Sequence, residues 1–174
     1  MRKVLHEMLL ISSMQTPQWT KKLGGHAGEL YVAAELSKRA IPNSLLPENF
    51  SHHDIIIGSD EANGYIQVKS CHPDRAVAFR LDNIKHVDWV KARENEFVVF
   101  VWLGSVLKNE SPVYWVARMK EVGYLWKQSV DRYPQSQRLA PDEDSGLVRK
   151  WNAMRLYKNW RNDWNVFKSY VYFR

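Results

Sequence analysis

The chain is predicted to fold as a mixed α/β sandwich, a central mixed sheet flanked by helices with a helical C-terminal extension. Two kinds of segment predict it. Runs dense in β-branched and aromatic residues, such as Ile55-Ile56-Ile57 and residues 97–103, read as strands. Stretches with apolar residues every three or four positions read as helices. Their order is helix, three strands, helix, two strands and two helices, and turn residues separate them.

Residues 2–15 are expected to open the chain with a helix carrying Val4, Leu5, Met8 and Leu9, and Thr16-Pro17 interrupts it. Gly24-Gly25 then leads into a strong helix over residues 26–39 with Leu30, Ala33, Ala34 and Leu36 on its apolar side. Ile41-Pro42-Asn43 ends that helix. A first strand falls in residues 44–50, a second in 54–58 and a third in 65–70. Asp82 is an N-cap candidate for a helix running to about residue 95. Residues 97–103 form a buried strand, 113–117 another, and 119–128 a helix. Residues 134–146 are polar and read as a surface loop.

The tail is organised around charge. From Arg149 onward there are seven basic residues against one acid, Asp163, while residues 1–148 hold eighteen of each sign. The whole net charge of +6 therefore sits at one end. Trp151, Tyr157, Trp160, Trp164, Phe167 and Tyr170 are interleaved with those cations. Cations beside flat rings suit nucleic acid, the cations for phosphate and the rings for bases. The same aromatics, with Leu147 and Met154, recur at three or four, so a helix over 147–174 burying most of them is expected. Its basic face is left for a polyanion.

Composition sets the class. A chain of 174 residues with 45% hydrophobic and 25% charged residues fits one soluble domain over 1–174. No window is apolar enough to span a membrane. Met1-Arg2-Lys3 and the apolar residues after it resemble a signal peptide only superficially, since His6, Glu7, Ser12 and Ser13 break the run. The single cysteine, Cys71, excludes an internal disulfide framework and suits the cytoplasm.

The chemistry is concentrated in two strands. Asp54 heads Ile55-Ile56-Ile57, and a turn containing Gly58, Asp60, Asn63 and Gly64 leads to Tyr65-Ile66-Gln67-Val68-Lys69-Ser70. Gln67 and Lys69 are two apart, so they share one sheet face, while Ile66 and Val68 point to the other. Folded as a hairpin, the pair brings a carboxylate, an amide oxygen and an ammonium together. Those are hard oxygen ligands for a divalent cation, with a positive charge beside an attacked phosphate. Alone, a carboxylate at a strand end is commonplace, and Gln67 with Lys69 is an ordinary solvent-facing pair.

With Glu29 added, the run Gly28-Glu29-Leu30, then Asp54-Ile55-Ile56-Ile57, then Ile66-Gln67-Val68-Lys69-Ser70 resembles the PD-(D/E)XK nuclease superfamily. The likeness covers residues 24–118 and implies a restriction-endonuclease-like core. It is closest to the branch with glutamine in the middle slot, which includes group I intron-associated homing endonucleases and resolvase-like nucleases. The resemblance implies catalytic roles for Glu29, Asp54, Gln67 and Lys69. It also implies Mg²⁺ or Mn²⁺ on Asp54, Gln67 and the Val68 carbonyl, with Glu29 directly or through water. Lys69 would stabilise charge on the phosphate or the nucleophile, and Ser70, on the other face, at most supports. Two departures stand out. His53 occupies the place of the superfamily's usual proline, and Gln67 removes one negative charge, which weakens cation binding.

The expected activity is hydrolysis of DNA phosphodiesters by metal-activated water. Arg75, Arg80, Lys150, Arg155, Lys158 and Arg161 are expected to contact nucleic acid, and cutting a duplex favours a homodimer. The neutral Gln67 motivates an alternative, a nucleic-acid-binding module that does not cleave. A second alternative is a protein-interaction accessory of a phage or mobile element. His52, His53, Cys71 and His72 lack the spacing of a structural zinc site. His26, one turn before Glu29, is expected to cap or support that residue.

Overall fold

The computed structural model describes residues 18–48, 52–58, 62–74, 76, 78–135, 137–142, 146–149, 155–156 and 158–172. The expected helix over residues 2–15 lies outside them. Helix α1 (Gln18–Lys38) precedes strands β1 (Asn43–Leu45), β2 (Ile55–Gly58) and β3 (Asn63–Cys71). After β3 come the two-residue β4 (Phe79–Arg80), a 3₁₀ turn at Val87–Lys91, β5 (Glu96–Trp102), β6 (Val113–Arg118) and α2 (Met119–Arg132). Strands β7 (Arg138–Asp142), β8 (Gly146–Arg149) and β9 (Arg155–Leu156) follow, then 3₁₀ segments Lys158–Trp160 and Trp164–Tyr170.

The main sheet has the order β1-β2-β3-β5-β6. All its pairs are antiparallel except β3 with β5, which run parallel from Tyr65↔Glu96 to Cys71↔Trp102. The fold is thus mixed α+β. Residues 72–95 make the crossover that a parallel pair requires, and α1 and α2 flank the sheet. On the α1 side Val32 and Leu36 pack with Ile55, Ile57, Ile66, Val68 and Val99. On the other, Val122 and Trp126 of α2 pack with Val98, Phe100 and Phe79. A second sheet, β4-β7-β8-β9, closes that side through Leu139 and Leu147.

Several expectations are corrected. Helix α1 begins at Gln18, so Gly24-Gly25 lies within it rather than ahead of it. Its buried stripe is Gly28, Val32 and Leu36, four apart, whereas Leu30 and Ala34 face solvent. That choice follows from Gly28, whose missing side chain lets the helix approach β3. No α-helix follows Asp82. Its Oδ1 accepts the Ile84 and Lys85 N–H groups as an N-cap should, but only turns and the 3₁₀ segment Val87–Lys91 result. Residues 138–142 of the expected loop form β7.

The helical extension over 147–174 is also corrected. Its start pairs as β8 and β9, and its end is 3₁₀. Trp164, Phe167 and Tyr170 are spaced by three, the period at which 3₁₀ side chains line up, and all three are buried on the α1 side of the sheet. Trp160 is buried on the opposite side. A straight helix could not serve both faces. Between them Arg161 bridges to Trp115, so the tail wraps the β6 edge.

Candidate active site

The candidate site lies where β2 ends and β3 continues. Backbone pairing runs to Asp54, whose N–H donates to the Ile66 carbonyl at 2.9 Å. Beyond that point β3 has no strand beside it on this side among the described residues. The next amide that would need a strand partner, Val68 N–H, donates instead to Asp54 Oδ2 at 2.6 Å. A residue in an extended strand sends its N–H and C=O to the same side. The Val68 carbonyl therefore opens into the gap beside Asp54.

Helix α1 closes the gap from one face. A Cβ on Gly28 would lie 2.6 Å from Ser70 Cβ, closer than side chains tolerate, so only glycine permits this approach. Ser70 Oγ donates to the Gly24 carbonyl at 2.9 Å, pinning the same stretch of helix to β3. Glu29, next to Gly28, is thereby brought within electrostatic reach of Asp54. Its Oε2 lies 3.5 Å from His26 Nδ1, the supporting contact expected for that histidine.

Gln67 and Lys69 stand on the opposite face of β3 from Val68, as their spacing predicts, and line a cavity of about 820 Å³. The Gln67 carboxamide makes no hydrogen bond among the described residues. Burial raises the Asp54 pKa above the ordinary carboxylate value; Glu29 raises it further, while the Val68 N–H and Lys69 oppose the rise. Burial lowers the Lys69 pKa, Asp54 counteracts this, and Lys85 adds to it. Asp54, Glu29 and Lys69 thus form one electrostatic group where the β2–β3 pairing ends, and Gln67 lines the cavity beside Lys69. Two acids, an amide and a carbonyl suit a hard cation, and mutual repulsion between the acids is what a cation would relieve. The charge is modest, and no cluster of three His, Cys, Asp or Glu residues fit to hold a metal occurs among the described residues.

His53 lies within electrostatic reach of Asp54 and beside Glu96. Its Nε2 lies 3.4 Å from Glu96 Oε1, and its ring packs on Tyr65 at 5.2 Å between centroids. Burial is the main cause of its lowered pKa. Further along the cavity are Lys85, His86 and Trp89, which the sequence reading passed over because it took residues 84–95 as a regular helix.

The expected nucleic-acid contacts divide. Arg80 is exposed and lines the cavity, and Arg161 is exposed on the wrapping tail. Arg75 and Lys150 lie outside the described residues, as do the side chains of Arg155 and Lys158. Arg149, one of the seven tail cations, is buried: it donates to the Ser129 carbonyl and Oγ and covers the Trp126 ring at 4.9 Å. No helix among the described residues is long and apolar enough to cross a membrane. No family model matches the chain, and no curated protein is similar to it in sequence.

Proposed function

We propose that the chain is a divalent-cation-dependent endonuclease that hydrolyses DNA phosphodiester bonds. The observation that carries this reading is the meeting of Asp54, Glu29 and Lys69 at the unpaired stretch of β3, with Asp54 held by the Val68 N–H at 2.6 Å. Asp54, the Val68 carbonyl and Gln67 would hold Mg²⁺ or Mn²⁺, with Glu29 directly or through water. When bound there, the cation would supply a more acidic water and would withdraw charge from the phosphate. Lys69 presents its ammonium where negative charge grows on the phosphate during attack, and its partial burial strengthens that interaction. The Val68 N–H fixes the Asp54 carboxylate in one orientation before any substrate arrives. Ser70 acts as a positioning residue, tying Glu29's helix to the strand.

The resemblance to PD-(D/E)XK nucleases supports this reading, as do the antiparallel β2–β3 pair and the parallel β3–β5 pair around the site. A cytoplasmic setting and a homodimer belong to the same proposal. One observation favours a second reading. Gln67 is neutral and, among the described residues, two carboxylates meet here, which suits a nucleic-acid-binding module that does not cut. A Mg²⁺ titration with plasmid DNA separates the two. Cleavage that requires the cation and disappears in Asp54→Ala and Lys69→Ala supports the enzyme. Unchanged binding without cutting under any divalent cation leaves the module.

A further inference from the structure

The cavity that begins at Gln67 and Lys69 extends away from the acids toward the crossover segment. Its charges are unevenly matched. Asp88 is paired with Lys91 at 2.9 Å, Glu96 with Arg93 at 2.8 Å, and Asp82 Oδ1 accepts two backbone N–H groups. Lys69, Arg80 and Lys85 have no carboxylate within ion-pair distance among the described residues. With those ion pairs set aside, the wall keeps three cations against the one carboxylate of Asp82, which lies within electrostatic reach of Lys85, so positive charge is in excess.

His86 adds a neutral donor. His86 Nδ1 lies 2.7 Å from the Asp82 backbone N–H, which can only donate, and 3.1 Å from the Asp82 carbonyl; the shorter contact makes Nδ1 the acceptor and assigns the neutral ring's proton to Nε2. Burial is the main reason its pKa falls to about 4, so the ring stays neutral near pH 7. The residue is only 9% exposed yet lines the cavity. Trp89 meets His86 edge to face at 4.6 Å and supplies an aromatic surface beside the cations. Two cations, an N–H donor and an indole, in a cavity of about 820 Å³, match a doubly charged phosphate attached to a base. A phosphodiester, with one negative charge, would leave one of those cations unbalanced.

We infer that the cavity beyond Lys69 binds a nucleotide phosphomonoester, with its phosphate on Arg80, Lys85 and His86 and its base beside Trp89. Two sources carry that group: the phosphorylated end of a strand and a free mononucleotide. That the strand end is a substrate rests on the nuclease reading; phosphomonoester binding does not. Lys69, between Asp54 and Lys85, would link the bound end to the bond being cut.

The test uses the full chain with EDTA present, so that no strand is cut. Binding is measured by fluorescence anisotropy for oligonucleotides ending in 5′-phosphate, 3′-phosphate or hydroxyl, with adenosine monophosphate and inorganic phosphate as competitors. The inference predicts about tenfold or tighter binding for one phosphorylated end, with the preference lost in Lys85→Glu and Arg80→Glu. Both side chains are exposed, so these variants should fold. His86→Ala, checked by near-ultraviolet circular dichroism, should lose the preference too. Competition by the mononucleotide as strong as by the phosphorylated oligonucleotide assigns the site to free nucleotides; weaker competition assigns it to strand ends. Equal binding of phosphate and hydroxyl ends, with no competition by the mononucleotide, overturns the inference. Cleavage in Mg²⁺ is scored separately, so a wild type that cleaves but shows no phosphate preference sinks this site alone. Preference without cleavage sinks only the nuclease.

Discussion

Asp54 accepts the Val68 N–H at 2.6 Å, so one carboxylate both ends the β2–β3 pairing and faces Glu29 and Lys69. The structural and chemical roles of that group can be separated. Asp54→Asn keeps an oxygen for Val68 and removes the charge; Asp54→Ala removes both. Asp54→Ala is expected to be less stable than Asp54→Asn by about 1–2 kcal/mol, read from urea unfolding, because it strands a half-buried amide.

The raised pKa of Asp54 gives that comparison a pH dependence. A carboxylate whose folded pKa lies above its unfolded value binds protons more readily when folded, so its contribution falls as pH rises through that window. Asp54→Asn has no such loss. Its melting temperature relative to wild type should therefore climb as pH is raised from about 4 to about 7. A constant difference over that range would show that burial of the charge costs nothing.

Gly28 and Ser70 set how closely α1 approaches β3. Gly28→Ala would put its Cβ 2.6 Å from Ser70 Cβ and 3.2 Å from Ser70 Oγ. The helix must shift, at about 1–3 kcal/mol, carrying Glu29 away from Asp54. Adding Ser70→Gly should recover part of the stability. A double-mutant cycle in thermal unfolding reads the coupling, and strict additivity would contradict the contact.

Lys69 should limit activity at high pH. Burial lowers its pKa below 10.5, so the ammonium is lost earlier than in an exposed lysine. Cleavage is expected to fall on the alkaline side as that proton leaves. Lys69→Arg, which keeps its charge throughout, should move the fall to higher pH even if the overall rate is reduced. An alkaline limb that does not move would remove Lys69 from the reaction.

The tail cations should behave in two ways. Arg149→Gln breaks buried hydrogen bonds to Ser129 and should cost about 2–3 kcal/mol of stability with little change in the salt dependence of DNA binding. Arg161 is exposed, and Arg161→Ala should leave stability unchanged and lower the salt slope by about one. The reverse pattern would contradict the burial of Arg149.

What was legible in the sequence follows from which interactions are local. Alternation alone put Gln67 and Lys69 on one face and Val68 on the other, and the β-branched run fixed β2 after Asp54. The strength of the α1 apolar pattern was misleading because Leu30 competes with a stripe set by Gly28, a residue with no side chain to count. Spacing of three and four in the tail could not distinguish an α-helix from strands followed by 3₁₀ turns. The outcome shows in which face each described ring meets, Trp160 on one and Trp164, Phe167 and Tyr170 on the other. Charge counting placed Arg149 among the surface cations because nothing local reveals Trp126 and Ser129 beside it. Lys85 and His86 were hidden for a related reason: the Asp82 cap is real, yet no α-helix follows it.

The most direct measurement is the rate of plasmid cleavage by wild type and Asp54→Asn across a Mg²⁺ titration, with Mn²⁺ in parallel. Asp54→Asn keeps the Val68 contact, so the comparison isolates the negative charge. The account predicts cleavage by wild type only with the cation, and a rate lower by about 100-fold or more in a folded Asp54→Asn protein. Equal cleavage by the two proteins, or none by wild type with either cation, would contradict it.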